Sequence, residues 1–506
     1  MVMSGRRIEG DHKSEGTGMG EEMISLGARM RQLANLKPDA PAITCGDVTL
    51  TYEAFHRRTN RIGRALQDRG VRKGDLVTLG LPNSTGFAEA CWALWKIGAT
   101  PQPISFRLPK AELEAIMDLA ATPLVIGEFA HQTARPQVTI ASLLEACDDD
   151  SDLPDVTAPV YKAPTSGGST GRPKLILSGN AGETPREIPE VGAFRVKPDS
   201  VMLVPAPLYH NAPFGMTGLG LTLGAHVIVM PRFDAEGTLA EIQKHKVTWL
   251  YLVPTMMNRL WRLPEAVRTA YDVSSVTTLW HMAAPCPAWL KENFIHWFGP
   301  ETVLELYAGT EAQAVTIIDG AEWLDHRGSV GRVSQGEMKI FGPDGQELPA
   351  GETGEIFMRR PPGAPPTYSY RGATAKVIHD GWESLGDMGW FDADGYLYLA
   401  DRTSDMILVG GSNVYPAEIE AALEEHPLVQ SSAVIGLPDD DMGNRVHAIV
   451  QAASDLTEAD LRTHLADRLV TYKQPRSYEF SAEPLRDEAG KVRRSALRAA
   501  RLQNAN

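Results

Sequence analysis

Short apolar runs alternate with segments of helical periodicity along the first two thirds of the chain. Residues 75–81 form one apolar run, and Ser84 follows as an N-cap candidate before the helical period of residues 86–97. Residues 112–120 and 123–127 repeat the alternation, which continues through residues 226–230, 242–246 and 249–253. Helices that alternate with buried strands predict a mainly parallel sheet with helices on its faces.

The pattern changes twice toward the C-terminus. From Val333 short strand-like runs are separated by glycine-rich turns, which predict a small antiparallel β unit. From Thr403 two strand-like runs, a helical period over residues 458–470 and a basic helix predict a separate α+β domain. We therefore predict an α/β protein with a disordered N-terminus at residues 1–24. A large N-terminal domain at 25–402 holds the helix-flanked, mainly parallel sheets and the β unit, and a small α+β domain follows at 403–506.

Charge and cysteine usage disfavour several classes of protein. The 49 lysine and arginine residues against 64 aspartate and glutamate residues give a net charge of −15, which argues against a nucleic-acid partner. The cysteines lie far apart and form no Cys-x-x-Cys motif, so we expect neither a disulfide framework nor a zinc site. We predict no transmembrane segment, because the charge-free stretch at 210–230 contains several glycines and Pro213. A cytoplasmic location fits these features.

The sharpest local motif is SGGSTGRPK at residues 166–174. Its small residues let backbone amides approach an oxyanion, its hydroxyl groups donate hydrogen bonds, and Lys174 supplies a positive charge. The spacing differs from that of the common P-loop, because Arg172 and Pro173 precede the lysine. On this stretch alone, both a phosphate site and a flexible linker remain open.

Three further motifs follow in order: YAGTE at 307–311, a long segment at 381–420, and EAGK at 488–491. This ordered set resembles the adenylate-forming superfamily, which includes acyl-CoA synthetases, amino-acid adenylation domains and beetle luciferases. The resemblance covers the chain from about residue 25 onward. The passages PLYHNAPF at 207–214 and DRTSDMILVGGSNV at 401–414 are similar, more narrowly, to bacterial bile-acid and steroid-type CoA ligases.

The resemblance implies a role for each matched residue toward ATP and Mg²⁺. Tyr307 would stack on adenine opposite the turn at Ala284, and Thr310 would bind the α-phosphate. Glu311 would bind Mg²⁺, and Asp387 would accept hydrogen bonds from the ribose with Arg402 nearby. The loop that would hold the β- and γ-phosphates contributes Ser166, Gly168, Ser169, Thr170, Gly171 and Lys174.

The C-terminal domain is implied to be mobile. Lys491 would bridge the acid and the α-phosphate during adenylation, and a hinge at Ser404 would then bring Gly410 and Gly411 to the CoA tunnel. Singly, these residues also have ordinary structural interpretations. Tyr307 fits a core aromatic, Asp387 fits a turn, and Lys491 fits a solvated basic tail with Arg486, Arg493, Arg494, Arg498 and Arg501.

The acid pocket is implied at His210, Asn211 and Phe214, although a lone histidine beside apolar residues also fits a core position. Some positions depart from the family pattern, with Gly167 in place of a serine and Leu385 in place of a threonine, which puts the loop geometry in doubt.

The implied reaction joins a carboxylic acid, ATP and CoA into an acyl-CoA, AMP and pyrophosphate. Methionines beside the pocket favour a bulky apolar acid, whether steroid-like, alicyclic, aryl or fatty. A ligase that loads a carrier protein or forms an amide is the alternative, and a nucleotide-binding regulator is a third hypothesis. The resemblance also allows a homodimer.

Overall fold

The computed structural model describes residues 22–127, 129, 132–167, 173–187, 192–402, 405–409, 412–439, 441–452, 455–487 and 490–503. The helices are α1 (Leu26–Leu36), α2 (Tyr52–Asp68), α3 (Thr85–Lys96), α4 (Lys110–Ala120), α5 (Ile140–Ala146), α6 (Asn211–Leu223), α7 (Ala235–His245), α8 (Pro254–Trp261), α9 (Glu265–Arg268), α10 (Ala288–Phe298), α11 (Gly320–Asp325), α12 (Pro416–Glu424), α13 (Glu458–Ala466) and α14 (Arg494–Gln503), with short 3-10 turns at His379–Gly381 and Thr471–Lys473.

The strands as far as residue 402 are β1 (Met23–Ser25), β2 (Pro41–Cys45), β3 (Val48–Thr51), β4 (Leu76–Gly80), β5 (Thr100–Pro103), β6 (Val125–Gly127), β7 (Gln137–Val138), β8 (Thr165–Gly167), β9 (Pro173–Ser178), β10 (Glu183–Pro185), β11 (Val201–Val204), β12 (His226–Val229), β13 (Trp249–Leu252), β14 (Thr278–His281), β15 (Val303–Tyr307), β16 (Val315–Asp319), β17 (Ser329–Gln335), β18 (Glu337–Phe341), β19 (Gly354–Arg359), β20 (Tyr368–Arg371), β21 (Lys376–Val377), β22 (Glu383–Phe391) and β23 (Leu397–Arg402). The later strands are β24 (Ile407–Val409), β25 (Ser412–Val414), β26 (Val429–Asp439), β27 (Gly443–Ala452) and β28 (Ser477–Phe480).

The largest sheet has the order β18-β19-β22-β23-β17-β16-β15-β14-β13-β11-β12-β2-β3, with β21 beside β22. Its strands β2 and β11 to β15 pair in parallel, and a second sheet, β5-β4-β6-β7, is parallel throughout. The predicted α/β fold is therefore confirmed. The antiparallel strands expected from Val333 are present, but they extend the main sheet because β17 pairs with both β16 and β23.

Regular structure begins closer to the N-terminus than the sequence predicts. Residues 1–21 lie outside the described residues, but Met23–Ser25 forms β1, which pairs antiparallel with β10. Ile24 is buried by this pairing. The predicted limit of the disordered N-terminus at residue 24 is therefore wrong for its last residues, because their strand partner lies far along the chain at 183–185.

The C-terminal elements build their own core. Strands β26, β27 and β28 form one sheet, in which β26 pairs antiparallel and β28 parallel with β27. The buried residues of this part form clusters that contain only residues beyond 402, and the main N-terminal cluster contains only residues before it. The predicted domain boundary at 402–403 stays a prediction that this division supports. No helix among the described residues is long and apolar enough to cross a membrane.

A buried ion pair fixes α10 against β15 behind the carboxyl ends of the sheet. The Lys291 ammonium lies 2.5 Å from Glu305 Oε2, and the two side chains are 1% and 7% exposed. The same ammonium lies 5.1 Å from the centre of the Trp323 ring. Because a buried charge without a partner is strongly destabilising, each member of this pair depends on the other.

We expect Lys291→Met to lower the free energy of unfolding by about 3–5 kcal/mol, because Glu305 would remain buried without its counter-ion. Chemical denaturation followed by tryptophan fluorescence measures this change. The double variant Lys291→Met, Glu305→Leu should recover most of the loss. The control Lys244→Met removes an exposed lysine of α7 and should change stability by less than about 0.5 kcal/mol. Equal effects of the two lysine variants would contradict the assignment.

Candidate active site

The predicted phosphate loop begins and ends in two paired strands. Ser166 in β8 faces Lys174 in β9 across an antiparallel register, while Gly168, Ser169, Thr170 and Gly171 lie outside the described residues. On its other edge β9 pairs with β20, which sets Tyr370 opposite Ile176. The Lys174 ammonium consequently lies 3.9 Å from the centre of the Tyr370 ring. The described ends of the motif therefore lie in paired strands, and its role as a phosphate site stays a prediction.

Glu311 lies against this unit. Its side chain is 7% exposed, and Oε1 lies 3.5 Å from the Lys174 ammonium. The Tyr370 hydroxyl donates a hydrogen bond to the same carboxylate oxygen, and Thr367 Oγ1 donates to the Glu311 carbonyl at 2.6 Å. Thr310 precedes it and is half-buried. An ionised oxygen donor thus stands beside a cation, as a site for a metal-bound phosphate requires.

Asp387 binds residues at the ends of two other strands. The Tyr307 hydroxyl donates to its Oδ2 at 2.8 Å, and Arg402 Nε donates to its Oδ1 at 3.0 Å. Burial first, and the Asp387 charge second, raise the pKa of Tyr307 well above its usual value, so the phenol stays a donor. Asp387 lies within β22 and pairs with Arg402 in β23. Its interpretation as a turn residue is therefore wrong.

The turn at Ala284 follows β14, which runs parallel to β15. Tyr307 ends β15, so the turn and the tyrosine leave the sheet at the same edge. Ala283 adopts a φ of 78°, a left-handed conformation that an alanine seldom takes. Ala284 itself is half-buried. The parallel order of the two strands supports the predicted juxtaposition of Tyr307 with this turn, which stays a prediction.

Lys491 of the C-terminal part lies within electrostatic range of Glu311 and Asp387. Burial lowers its pKa, Arg402 lowers it further, and Asp487, Glu311 and Asp387 act in the opposite direction. Gly490 packs on the start of α8, where a Cβ at this position would lie 2.5 Å from Thr255 Oγ1. The structure therefore brings the C-terminal lysine together with the predicted metal and ribose ligands.

The arginines around Lys491 are paired. Arg486 Nη2 lies 3.0 Å from Glu420 Oε2, and its Nη1 donates to the Gly490 carbonyl. Arg494 Nη2 lies 2.8 Å from Glu420 Oε1, so one carboxylate of α12 holds both sides of the loop. Arg501 pairs with Glu479, and Arg498 donates to the Gly436 carbonyl. The interpretation of this segment as a solvated basic tail is therefore wrong for these four arginines.

The residues predicted for the acid pocket open helix α6. His210 is its N-cap, and burial first and the charge of Lys491 second lower the pKa of His210 to about 4. The ring is therefore neutral at pH 7. Atoms His210 Nε2 and Asn211 Oδ1 are buried without a hydrogen-bond partner in the described part of the chain. Phe214 is buried in an aromatic cluster with Phe87, Trp95 and Tyr161, and its contact with the acid stays a prediction. Ser404, Gly410 and Gly411 lie outside the described residues.

The family follows from two matches along the chain. The model for the AMP-binding enzyme family matches residues 30–368, and the model for its C-terminal domain matches residues 418–491. The chain belongs to the AMP-binding enzyme family. The predicted adenylate-forming superfamily is thereby confirmed, while the narrower resemblance to bile-acid and steroid-type ligases stays a prediction.

Curated relatives of this family extend over nearly the whole chain. A feruloyl-CoA synthase from Amycolatopsis sp is 35% identical over 486 residues, covering 94% of this chain and 98% of that protein. The fatty acid–acyl-carrier-protein ligase ScoC of Streptomyces coeruleorubidus is 31% identical, covering 92% and 94%. The structure of Bacillus subtilis o-succinylbenzoate CoA synthetase with its acyl-adenylate shares the fold, with a TM-score of 0.78 at 24% identity over 94% of this chain and 98% of that one. The chain is an AMP-forming acid–CoA ligase.

Two residues of this AMP-binding enzyme that the sequence did not single out connect its two parts. Arg262 follows the last residue of α8; its Nη1 donates to the Pro427 carbonyl at 2.6 Å, and its Nη2 donates to the Glu424 carbonyl at 2.8 Å. Asn258 accepts from Arg262 Nε at 2.9 Å and donates to the Gln430 carbonyl at 3.1 Å. No local motif marks these residues, because their partners are backbone atoms. Tyr370 was missed for a similar reason, since it reaches Lys174 only through the pairing of β20 with β9.

We expect Arg262→Met to slow acyl-adenylate formation by roughly tenfold or more, because charge-assisted hydrogen bonds to the C-terminal part are lost. Transfer of the acyl group from a supplied acyl-adenylate to CoA should fall much less. ATP–pyrophosphate exchange and single-turnover thioester formation measure the two steps. The matched control is Arg259→Met, one turn earlier on α8 and exposed, which should leave both steps unchanged. A parallel loss in both steps would mean that Arg262 only stabilises the fold.

Proposed function

We propose that this ligase activates a bulky, mainly apolar carboxylic acid as an acyl-adenylate and transfers the acyl group to free CoA. The observation that carries the proposal is that Lys491 lies within electrostatic range of Glu311 and Asp387, although these groups come from opposite parts of the chain. A positive charge opposite a metal-binding carboxylate suits displacement at a phosphate. A protein that only binds nucleotide has no need of this arrangement.

The donor set fits Mg²⁺ and ATP. The buried Glu311 carboxylate is the kind of oxygen ligand that Mg²⁺ prefers, and it is held by Lys174 and Tyr370. Lys174 would contact the β- and γ-phosphates with the loop that starts at Ser166, and Thr310 would contact the α-phosphate. Asp387 would receive the ribose hydroxyls, and the ring of Tyr307 would stack on adenine beside Ala284. When bound, the metal supplies charge neutralisation at the transferring phosphates.

In the first half-reaction the carboxylate of the acid attacks the α-phosphorus of ATP, and pyrophosphate leaves. No general base is required, because a carboxylic acid is already ionised at neutral pH. The neutral His210 fits this requirement, since its pKa is about 4 and it adds no charge beside the acid. Lys491 would bind both the carboxylate and the α-phosphate, which orients the nucleophile and offsets the growing negative charge.

In the second half-reaction the thiol of CoA attacks the acyl carbonyl, and AMP leaves. We propose that the C-terminal domain at 403–506 rotates at Ser404 between the two steps, which withdraws Lys491 and brings Gly410 and Gly411 to the thiol. The division of the buried cores on either side of residue 402 supports such a rotation, because no apolar cluster would have to be broken.

The nature of the acid is supported by the relatives. A feruloyl-CoA synthase and a fatty-acid ligase are both similar to this chain, and their named acids are both larger than acetate. The methionines that the sequence suggested for the pocket, Met216, Met256 and Met257, are however buried in the main core. The alternative acceptor is a carrier protein, because ScoC is named for that reaction.

The proposed reaction is tested by AMP release with ATP, Mg²⁺ and a panel of steroid, alicyclic, aryl and straight-chain acids. AMP should appear with an acyl-CoA product when both an acid and CoA are present. Product formation with an acyl carrier protein but not with CoA would favour the alternative. AMP release that requires neither CoA nor a carrier protein would contradict the proposal. The absence of AMP release with every acid tested would contradict it as well.

We expect Lys491→Ala to lower acyl-adenylate formation by about 100-fold, because a positioned charge on the transferring phosphate is lost. Conversion of a supplied acyl-adenylate to acyl-CoA should be retained, since the lysine acts only in the first step. The control Arg493→Ala removes an exposed cation two residues away and should leave both rates unchanged. Equal losses of rate in both half-reactions would contradict the role proposed for Lys491.

A further inference from the structure

Lys162 is an enclosed lysine that the reaction described above does not use. It lies four residues before Ser166, and its carbonyl accepts a hydrogen bond from Ser178 of β9 at 2.9 Å. The Lys162 side chain makes no hydrogen bond and no ion pair with any described residue; its ammonium lies 5.7 Å from the centre of the Tyr161 ring. Burial alone lowers the pKa of Lys162 to about 8. The residue nevertheless keeps part of its surface accessible, as expected for a group that lines a cleft.

The ammonium of Lys162 faces the helix that begins at the predicted acid pocket. A Cβ built on Gly215 of α6 would lie 3.8 Å from Lys162 Nζ, and no other group from outside this stretch of the helix lies within 4 Å of that point. Apart from residues of α6 itself, Lys162 is therefore the neighbour that this position of the helix faces. Asn211 lies one turn earlier on the same face of α6, and its buried Oδ1 also has no partner among the described residues.

The backbone that carries Lys162 is held firmly. The ring of Tyr161 stacks on Trp95 at a centroid distance of 4.9 Å, and Trp95 Nε1 donates to the Tyr161 carbonyl at 2.7 Å. Gly218 leaves room for the Tyr161 hydroxyl, because a Cβ there would lie 2.3 Å from it. A fixed polar group is a better specificity element than a freely moving one.

We infer that Lys162 selects acids that carry an oxygen at the end remote from the reacting carboxylate, with an apolar body between the two. This inference rests on the proposed function. Gly215 follows His210 by five residues, which is about 7.5 Å of helix rise, so the acid must be long enough to reach from Lys491 past His210 to the lysine. A phenolic oxygen and a second carboxylate share the chemistry that an amine or ammonium recognises.

The preference for such acids arises from the solvation of the Lys162 side chain. Water can bind the Lys162 amine while the cleft is open, but an acid with an apolar end would displace that water and leave the amine without a partner. An acid with a distal oxygen replaces the lost hydrogen bond. Sites of this kind reject analogues that lack the polar group more strongly than apolar pockets reject a missing methylene.

The test compares two matched pairs of acids, 4-hydroxycinnamate with cinnamate and adipate with hexanoate. Dissociation constants are measured by calorimetry with ATP and EDTA, so that no turnover is required. Wild type should bind the oxygen-bearing member at least about tenfold more tightly in one of the pairs. A preference within the cinnamate pair would indicate recognition of a neutral phenol, and a preference within the adipate pair would indicate recognition of an anionic oxygen.

Lys162→Met should bring the ratio of the two dissociation constants within that pair close to one, mainly by weakening the binding of the oxygen-bearing acid. Gly215→Ala, which adds a methyl group 3.8 Å from the amine, should lower the same ratio while keeping the lysine and the fold. The control Lys110→Met, at an exposed position of α4, should leave it unchanged. Ratios near one in wild type, or ratios that Lys162→Met does not alter, would overturn the inference. Absence of AMP release with every acid would instead overturn the proposed function, because acid binding is measured independently.

Discussion

The position of Lys491 depends on a polar contact between two parts of the chain. Arg262, at the C-terminal end of α8, donates hydrogen bonds to the carbonyls of Glu424 and Pro427, where α12 ends. Backbone carbonyls are acceptors with fixed positions, so a rigid guanidinium that binds them sets the geometry of the C-terminal part. Because the contact is polar, its loss exposes no apolar core, and two arrangements of the chain can differ by only a few kcal/mol.

Helix α12 connects this contact to the segment that carries Lys491. Its C-terminal carbonyls accept from Arg262, and its Glu420 side chain binds Arg486 and Arg494 on the two sides of Lys491. Val434 also donates its backbone N–H to Glu420 at 2.8 Å. A buried carboxylate with several donors holds one conformation, because each lost bond would leave a charge unsatisfied. The loop that carries the lysine is therefore held by α12 from both sides.

Sequence reasoning was successful where the information is local. The apolar run at 75–81 and the helical period at 86–97 correspond to β4 and α3, because strand and helix periodicity survive in a short window. It failed where the partner lies far along the chain. The arginines after residue 485 formed a run that suggests a solvated tail, yet Arg486 pairs with Glu420, 66 residues earlier. Tyr370 approaches Lys174 and Glu311 only because β20 joins the edge of β9, and no spacing in the sequence encodes that pairing.

The acid pocket also could not be predicted from composition, and this matters for substrate specificity. Composition favoured an apolar pocket, because methionines and Phe214 follow one another in the relevant segments. In the folded chain these side chains are buried in the core, whereas the enclosed groups without partners beside α6 are polar. Apolar residues satisfy one another wherever they meet, so their presence says little about a ligand. An enclosed amine is costly without a partner. Lys162 therefore carries more information about the acid than the surrounding apolar residues do.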